Sequence, residues 1–134
     1  MRSGIIRGYS SRIAQNVHPV VVVGDDDPAF RMLVRVNLEL EGYRVLEAGT
    51  AERIRELLAA EDVALLLVDV RLGDDDGVAL ARELRTERPE VAIAFVTGSA
   101  YGLEDAARAI SNDIVQKPFS LEELIETVER LTRR

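Results

Sequence analysis

Lys117 is the only lysine in the chain, and every other fixed positive charge is an arginine. An ammonium is a compact, rotatable point charge, whereas a guanidinium is a wide planar fork, so a lone lysine marks a place where only the former fits a tight anionic site. Lys117 closes the short aliphatic run at Ile114 and Val115, and three other polar features stand at comparable points. Asp25-Asp26 follows Val20 to Val23, Asp69 follows Val63 to Val68, and Thr97 follows Ala92 to Val96. Strand ends are where open parallel sheets bind ligands. If these runs share a sheet, three carboxylates, a hydroxyl and an ammonium meet in one crevice. The carboxylates would repel one another unless a cation neutralised them. Magnesium commonly takes one or two carboxylates and keeps several waters, leaving positions for a phosphoryl oxygen. The hydroxyl and the ammonium suit the remaining oxygens of such a group. A carboxylate can itself be the acceptor, as an aspartyl phosphate.

The elements that would place these residues are readable in outline. The β-branched run Val20 to Val23 predicts a strand buried on both faces. Pro28 suits a first helical turn, with Phe30, Leu33, Val34 and Leu38 on one face and Gly42 at the end. Tyr43 to Ala48 predicts a second strand, and Thr50 caps a helix that buries Ile54, Leu57 and Leu58. Val63 to Val68 is the third strand; Val78, Ala81 and Leu84 mark a helix that stops before Pro89. Ala92 to Val96 is the fourth strand, followed by a weakly apolar, alanine-rich stretch from Gly102 to Ile110 that reads as a helix. Ile114 to Gln116 is the fifth strand, and Ser120 with Glu123 makes a capping-box pair before a helix with Leu121, Leu124, Ile125, Val128 and Leu131 inward. Alternating strands and helices predict an α/β fold, a doubly wound parallel sheet with helices on both faces. The length matches the flavodoxin-like (βα)5 strand order 2-1-3-4-5.

Bulk properties agree. A chain of 134 residues with 47% hydrophobic and 31% charged residues is one ordinary globular domain. Its 24 acids against 17 basic residues, net -7 and spread through the body, argue against direct contact with nucleic acid. The absence of cysteine excludes disulfides and thiolate metal sites and suits a reducing compartment. No apolar run approaches membrane-spanning length, so no membrane insertion is expected. Residues 1–18 differ from the rest: Arg2, Arg7 and Arg12 stand among serines and glycines without an acid, which reads as a disordered N-terminal extension before a domain over 19–134. His18, beside Pro19, reads as a linker residue because nothing around it supplies partners.

Gly24-Asp25-Asp26-Asp27-Pro28, Asp69-Val70-Arg71-Leu72 running to Gly77, Val96-Thr97-Gly98 and Lys117-Pro118-Phe119 together resemble the response-regulator receiver domain of bacterial two-component signalling. The resemblance covers Val20 to the C-terminus. It implies Asp69 as phosphoacceptor, Asp25 and Asp26 as the acidic pair holding Mg2+, and the Arg71 carbonyl as a further metal ligand. Thr97 and Lys117 are implied as phosphoryl-oxygen partners, with a cis peptide at Lys117-Pro118. A cytoplasmic location is implied, with a sensor histidine kinase or phosphotransfer protein as phosphodonor and the last two helices with the strand between them as output surface. With no output domain after Arg134, a stand-alone receiver signalling by protein contact is the expectation; a phosphorelay intermediate or phosphate sink is the alternative. A hydrolase of the aspartyl-phosphate type would want a second acid two residues after the nucleophile, where Arg71 stands.

Several positions depart from the family pattern. Gly73 replaces a usual proline, which predicts a more mobile loop. Ile114 stands where Tyr or Phe is usual, three residues before the lysine, which removes the aromatic that ordinarily rotates inward. The interval from Thr97 to Lys117 is shorter than usual, with Ser111-Asn112-Asp113 in place of a Gly-Ala turn, and Phe95-Val96-Thr97-Gly98 is similar to a subgroup with an altered fourth helix. Taken singly, Asp27 reads as a helix cap and Asp74 to Asp76 as a solvated acidic loop, because the calcium-loop pattern fails at Arg71. Arg71 and Ser99, two residues after Asp69 and Thr97, carry no carboxylate or carboxamide to orient water, which predicts a persistent phosphoform.

Overall fold

The computed structural model describes residues 18–98, 104–111, 113–117 and 119–133 of the protein. The expectations for the N-terminal extension up to residue 17, for Ser99, Asn112 and the peptide at Pro118, and for the start of the fourth helix lie outside the described residues. The chain runs β1 (Val20–Gly24), α1 (Pro28–Leu40), β2 (Arg44–Ala48), α2 (Ala51–Ala60) and β3 (Leu65–Val68). Two short strands follow, β4 (Arg71–Leu72) and β5 (Asp75–Asp76), then α3 (Gly77–Glu87) and β6 (Ala92–Thr97). The chain ends with α4 (Glu104–Arg108), β7 (Ile114–Gln116) and α5 (Leu121–Thr132).

The main sheet has five parallel strands in the order β2-β1-β3-β6-β7, which is 2-1-3-4-5 when only its own strands are counted. Successive side chains on a strand point to opposite faces, so each strand feeds two cores. Val22, Leu66, Val68, Ile93 and Phe95 meet Ile54, Leu57 and Leu58 of α2 and Val78, Ala81 and Leu84 of α3. On the other face Val21, Val23, Leu65, Leu67, Ala94 and Val96 meet Val34 and Leu38 of α1 and Leu124 and Val128 of α5. Each Val, Leu, Ile or Phe side chain among them contributes about 1.5–3 kcal/mol when fully buried.

Local chemistry starts and stops the helices as the sequence predicts. Asp27 caps α1 by accepting from the Ala29 amide at 3.0 Å, with Pro28 at the first position. Thr50 accepts from Arg53 at 3.1 Å and Ser120 from Glu123 at 3.0 Å. Gly42, at φ +96°, ends α1 with its amide on the Glu39 carbonyl and the Tyr43 amide on that of Leu38. Two helix-face assignments are corrected: Leu33 is 49% exposed and Leu121 37%, because the sheet covers a narrower stripe than the apolar positions span. The third strand also begins later than Val63, although Val63 and Ala64 are buried and the Ala64 amide still bonds to Val20.

The acidic segment after Asp69 differs more. Rather than a solvated loop, it forms an antiparallel pair, Arg71 against Asp76 and Leu72 against Asp75. Asp76 caps α3 through the Val78 and Ala79 amides, and Asp75 accepts from the Ala51 amide at the start of α2 at 2.9 Å. Gly73 turns this hairpin at φ +61°, in the left-handed region that proline cannot enter, so the glycine shapes a paired turn. Gly77 closes the segment: a Cβ there would lie 1.9 Å from the Asp69 carbonyl oxygen. Gly77→Ala is therefore expected to lower stability by about 3 kcal/mol in urea unfolding. Gly42→Ala, strained in φ but with nothing within 4 Å of the new Cβ, should lose only about 1–2 kcal/mol.

Candidate functional site

Parallel strands bring their C-terminal ends to one edge, and the next residue of three strands carries a functional group. The Asp25 amide bonds to the Ala48 carbonyl at 3.1 Å, that of Asp69 to Gly24 at 3.0 Å and that of Lys117 to Thr97 at 2.7 Å. Each site residue thus extends the sheet's backbone ladder by one bond, and its Cα is as fixed as the strand behind it.

Lys117 crosses the strand ends to reach the acids. Its Nζ donates to Asp25 Oδ2 at 2.7 Å and to Asp69 Oδ2 at 3.4 Å, and lies 4.1 Å from the centroid of the Phe30 ring. Phe119 meets that ring edge-on with centroids 6.0 Å apart. The aromatic pair walls one side of the ammonium and adds a cation–π contact. Asp25 is 2% exposed; its Oδ1 accepts from the Asp27 amide at 2.9 Å. Asp69 Oδ1 accepts from the Arg71 amide at 3.1 Å. A cavity of about 260 Å³ opens over this cluster, lined by Asp26, Asp69, Arg71, Gly73, Gly98 and Lys117.

Of the residues singled out from the sequence, Asp26, Asp69, Arg71 and Lys117 share this cavity, and Asp25 lies behind it in contact with Lys117. Thr97 is buried at the end of β6, and the cavity wall beside it is Gly98. Sequence reasoning missed Phe30 and Phe119; the available signal was an aromatic two residues after the lone lysine and another in the first turn after the acids. It also missed Arg31, whose Nη1 donates to the Asp25 carbonyl at 2.6 Å.

Burial raises the pKa of Asp69, more than the Arg71 amide and the Lys117 charge lower it, and the nearby Asp25 charge pushes the same way as burial. For Lys117, burial acts downward, but the hydrogen bond and charge of Asp25, then those of Asp69, outweigh it and leave the pKa raised. The ammonium is therefore held in its charged form between the two acids.

Asp26 and Asp69 supply carboxylate oxygens to the cavity lining, beside Arg71 and the Lys117 ammonium. Among the described residues no three acidic or imidazole side chains form a closed metal cluster. An open oxygen set with space beside it fits magnesium, which is commonly held by one or two carboxylates and keeps waters. It does not fit a metal that demands nitrogen or sulfur donors.

The profile of the response regulator receiver domain matches residues 20–129. The chain belongs to the response-regulator receiver family. The transcriptional regulatory protein AruR of Pseudomonas aeruginosa is 42% identical over 127 residues, covering 87% of this chain and 50% of that protein. The regulatory protein TorR of the torCAD operon in Escherichia coli is 35% identical over 123 residues, covering 87% and 51%. The receiver thus spans about half the length of the curated relatives it matches. Among solved structures, a response regulator from Thermotoga maritima superposes with a TM-score of 0.78 at 28% identity, over 88% of this chain and 100% of that one. TrrA of the same organism, in complex with Mg(2+)-BeF, gives a TM-score of 0.77 at 26% identity, over 84% and 98%. Receivers of this family are phosphorylated on an aspartate with magnesium.

The raised pKa of Asp69 has a consequence for stability. An acid with a higher pKa in the folded than in the unfolded state favours folding while protonated, and that contribution is lost as pH rises through the folded value. In chelator, Asp69→Asn is expected to melt higher than wild type near neutral pH, with the gap closing below the ordinary carboxylate range. Thermal unfolding across this range checks it; an equal or lower midpoint for the variant at neutral pH contradicts it.

Proposed function

We propose that Asp69 is the phosphoacceptor of this receiver and takes its phosphoryl group from a sensor histidine kinase or a phosphotransfer protein. The observation that carries this reading is the pairing of an accessible Asp69 carboxylate with a single ammonium that also binds the buried Asp25. Asp69 attacks phosphorus, a P–O bond forms, and the P–N bond of the donor phosphohistidine breaks as the imidazole leaves. Asp25, Asp26, Asp69 and the Arg71 carbonyl are the proposed magnesium set, with Asp26 and Asp69 nearest the cavity. Magnesium, when bound, would offset the charge of the carboxylates and of the incoming phosphoryl oxygens. In this reading Lys117 donates to one phosphoryl oxygen and the hydroxyl of Thr97, at the end of β6, to another.

Accepting a phosphoryl group changes the charge Lys117 and Thr97 face, and only such differential contacts can bias two states of the protein. The output surface in this reading is α4, β7 and α5, which lie after Thr97 in the chain and on either side of Lys117, and which contact another protein or output unit. Ile114, partly buried against Phe95 and its neighbours, offers no aromatic ring to rotate, so the signal passes through backbone and packing at β6 and β7. The transcriptional role of the relatives, carried over here, would act through such an output unit, because the receiver itself is acidic. No helix among the described residues is long and apolar enough to cross a membrane, and the proposed location is the cytoplasm.

Intact-protein mass spectrometry after incubation with acetyl phosphate, with magnesium and with chelator, tests the acceptor. Wild type is expected to gain one phosphoryl mass only with magnesium, and Asp69→Asn none; undiminished labelling of the variant would sink the assignment. Once labelled, the protein is expected to keep its phosphoryl group, because Arg71 supplies no carboxylate or carboxamide to orient water at the cavity. Rapid loss of label from purified protein would contradict this persistence.

A further inference from the structure

The acidic pair is usually treated as two side chains, yet the direction of Asp26 depends on the peptide it hangs from. Asp26 is exposed and lines the cavity, so packing does little to orient it. Its backbone is held instead. The Asp25 amide is tied to Ala48 at 3.1 Å on the edge strand β2, and the Asp25 carbonyl, the oxygen of the Asp25–Asp26 peptide, accepts from Arg31 Nη1 at 2.6 Å. Arg31 reaches back from the first turns of α1 and its Nε donates to Glu47 Oε1 on β2 at 3.2 Å. The other Glu47 oxygen accepts from Arg35 Nε at 2.6 Å, one helical turn further on. Gly49 leaves the space: a Cβ there would lie 3.1 Å from Arg31 Nη1.

We propose that Arg31, braced by Glu47, is a positioning residue that fixes the Asp25–Asp26 peptide and thereby holds the Asp26 carboxylate at the metal end of the cavity. The inference rests on the magnesium reading above and adds a part to it. A guanidinium is suited to the task because it is a planar fork that can serve a carbonyl and a carboxylate at once, which a lysine cannot do with the same rigidity. Magnesium tolerates little departure from octahedral geometry, so a small rotation of this peptide weakens its site. Loss of such an outer contact typically lowers metal affinity 10–100-fold.

The test compares Arg31→Ala, Arg31→Lys and Arg35→Ala with wild type by calorimetric titration of magnesium alone, with melting temperatures taken in chelator. Arg35 shares Glu47 but has no contact with the Asp25 carbonyl, so it separates positioning from general loss of an ion pair. Arg31→Ala is expected to weaken magnesium binding about tenfold or more, with Arg31→Lys in between and Arg35→Ala within about twofold of wild type. If Arg31→Ala merely melts lower and binds magnesium as wild type does, Arg31 is a structural ion-pair residue and the proposal falls. Equal weakening by Arg35→Ala also overturns it. If wild type binds no more magnesium than Asp26→Asn, the magnesium reading itself fails, an outcome distinct from the other two.

Discussion

The Asp25 carboxylate is buried at the end of β1, beside the central strand β3, and its side chain is only 3% exposed. A buried carboxylate without a partner would be strongly destabilising, so the fold needs a cation there. The cation comes from β7, three strand positions away from β1, a separation of about 14 Å at the usual strand spacing. Lys117 spans part of that distance with a long, single-ended side chain that passes close over Gly98 and ends against Phe30. One ammonium therefore ties the end of β1 to that of the edge strand β7 and holds the proposed acceptor, Asp69, in the same grip. A guanidinium would carry the charge but as a wide planar fork rather than a compact point.

The second constraint is the hairpin after Asp69. Its turn at Gly73, the antiparallel pairing of Arg71 and Leu72 with Asp76 and Asp75, and the close approach of Gly77 to the Asp69 carbonyl together decide where the Arg71 main chain faces. Asp75 carries this order sideways, because its bond to the Ala51 amide joins the hairpin to the start of α2. Three consecutive acids thus divide their work: Asp75 and Asp76 satisfy helix N-termini, where negative charge is favoured, and Asp74 is left to solvent.

Much of the fold was legible because its signals are local and one-dimensional. Continuous β-branched runs mark strands buried on both faces, and Asp27, Thr50 and Ser120 are helix caps whose partners lie a few residues on. The errors have a common origin. Leu33 and Leu121 obey a helical period but fall outside the stripe that the sheet covers, and periodicity carries no information about how wide that stripe is. The acidic hairpin was misread because its pairing depends on a left-handed turn at Gly73 and on an amide of α2 some two dozen residues earlier, neither of which composition reveals.

The sequence by itself determined the kinds of group available: a lone lysine, an acidic pair, a third aspartate and a threonine, each at the end of an apolar run. Parallel strands must present their ends on one edge, so the order of these runs already implied a shared crevice. Only the tertiary structure decided how the groups divide within it. It turned Asp25 inward to Lys117, left Asp26 facing the cavity, and buried Thr97 behind Gly98. It also recruited Phe30, Phe119 and the Arg31–Glu47 pair, whose partners are distant along the chain. Those choices depend on strand order, on the depth to which each side chain sinks and on which backbone carbonyl a guanidinium can reach, and such distances exist only once the sheet has closed.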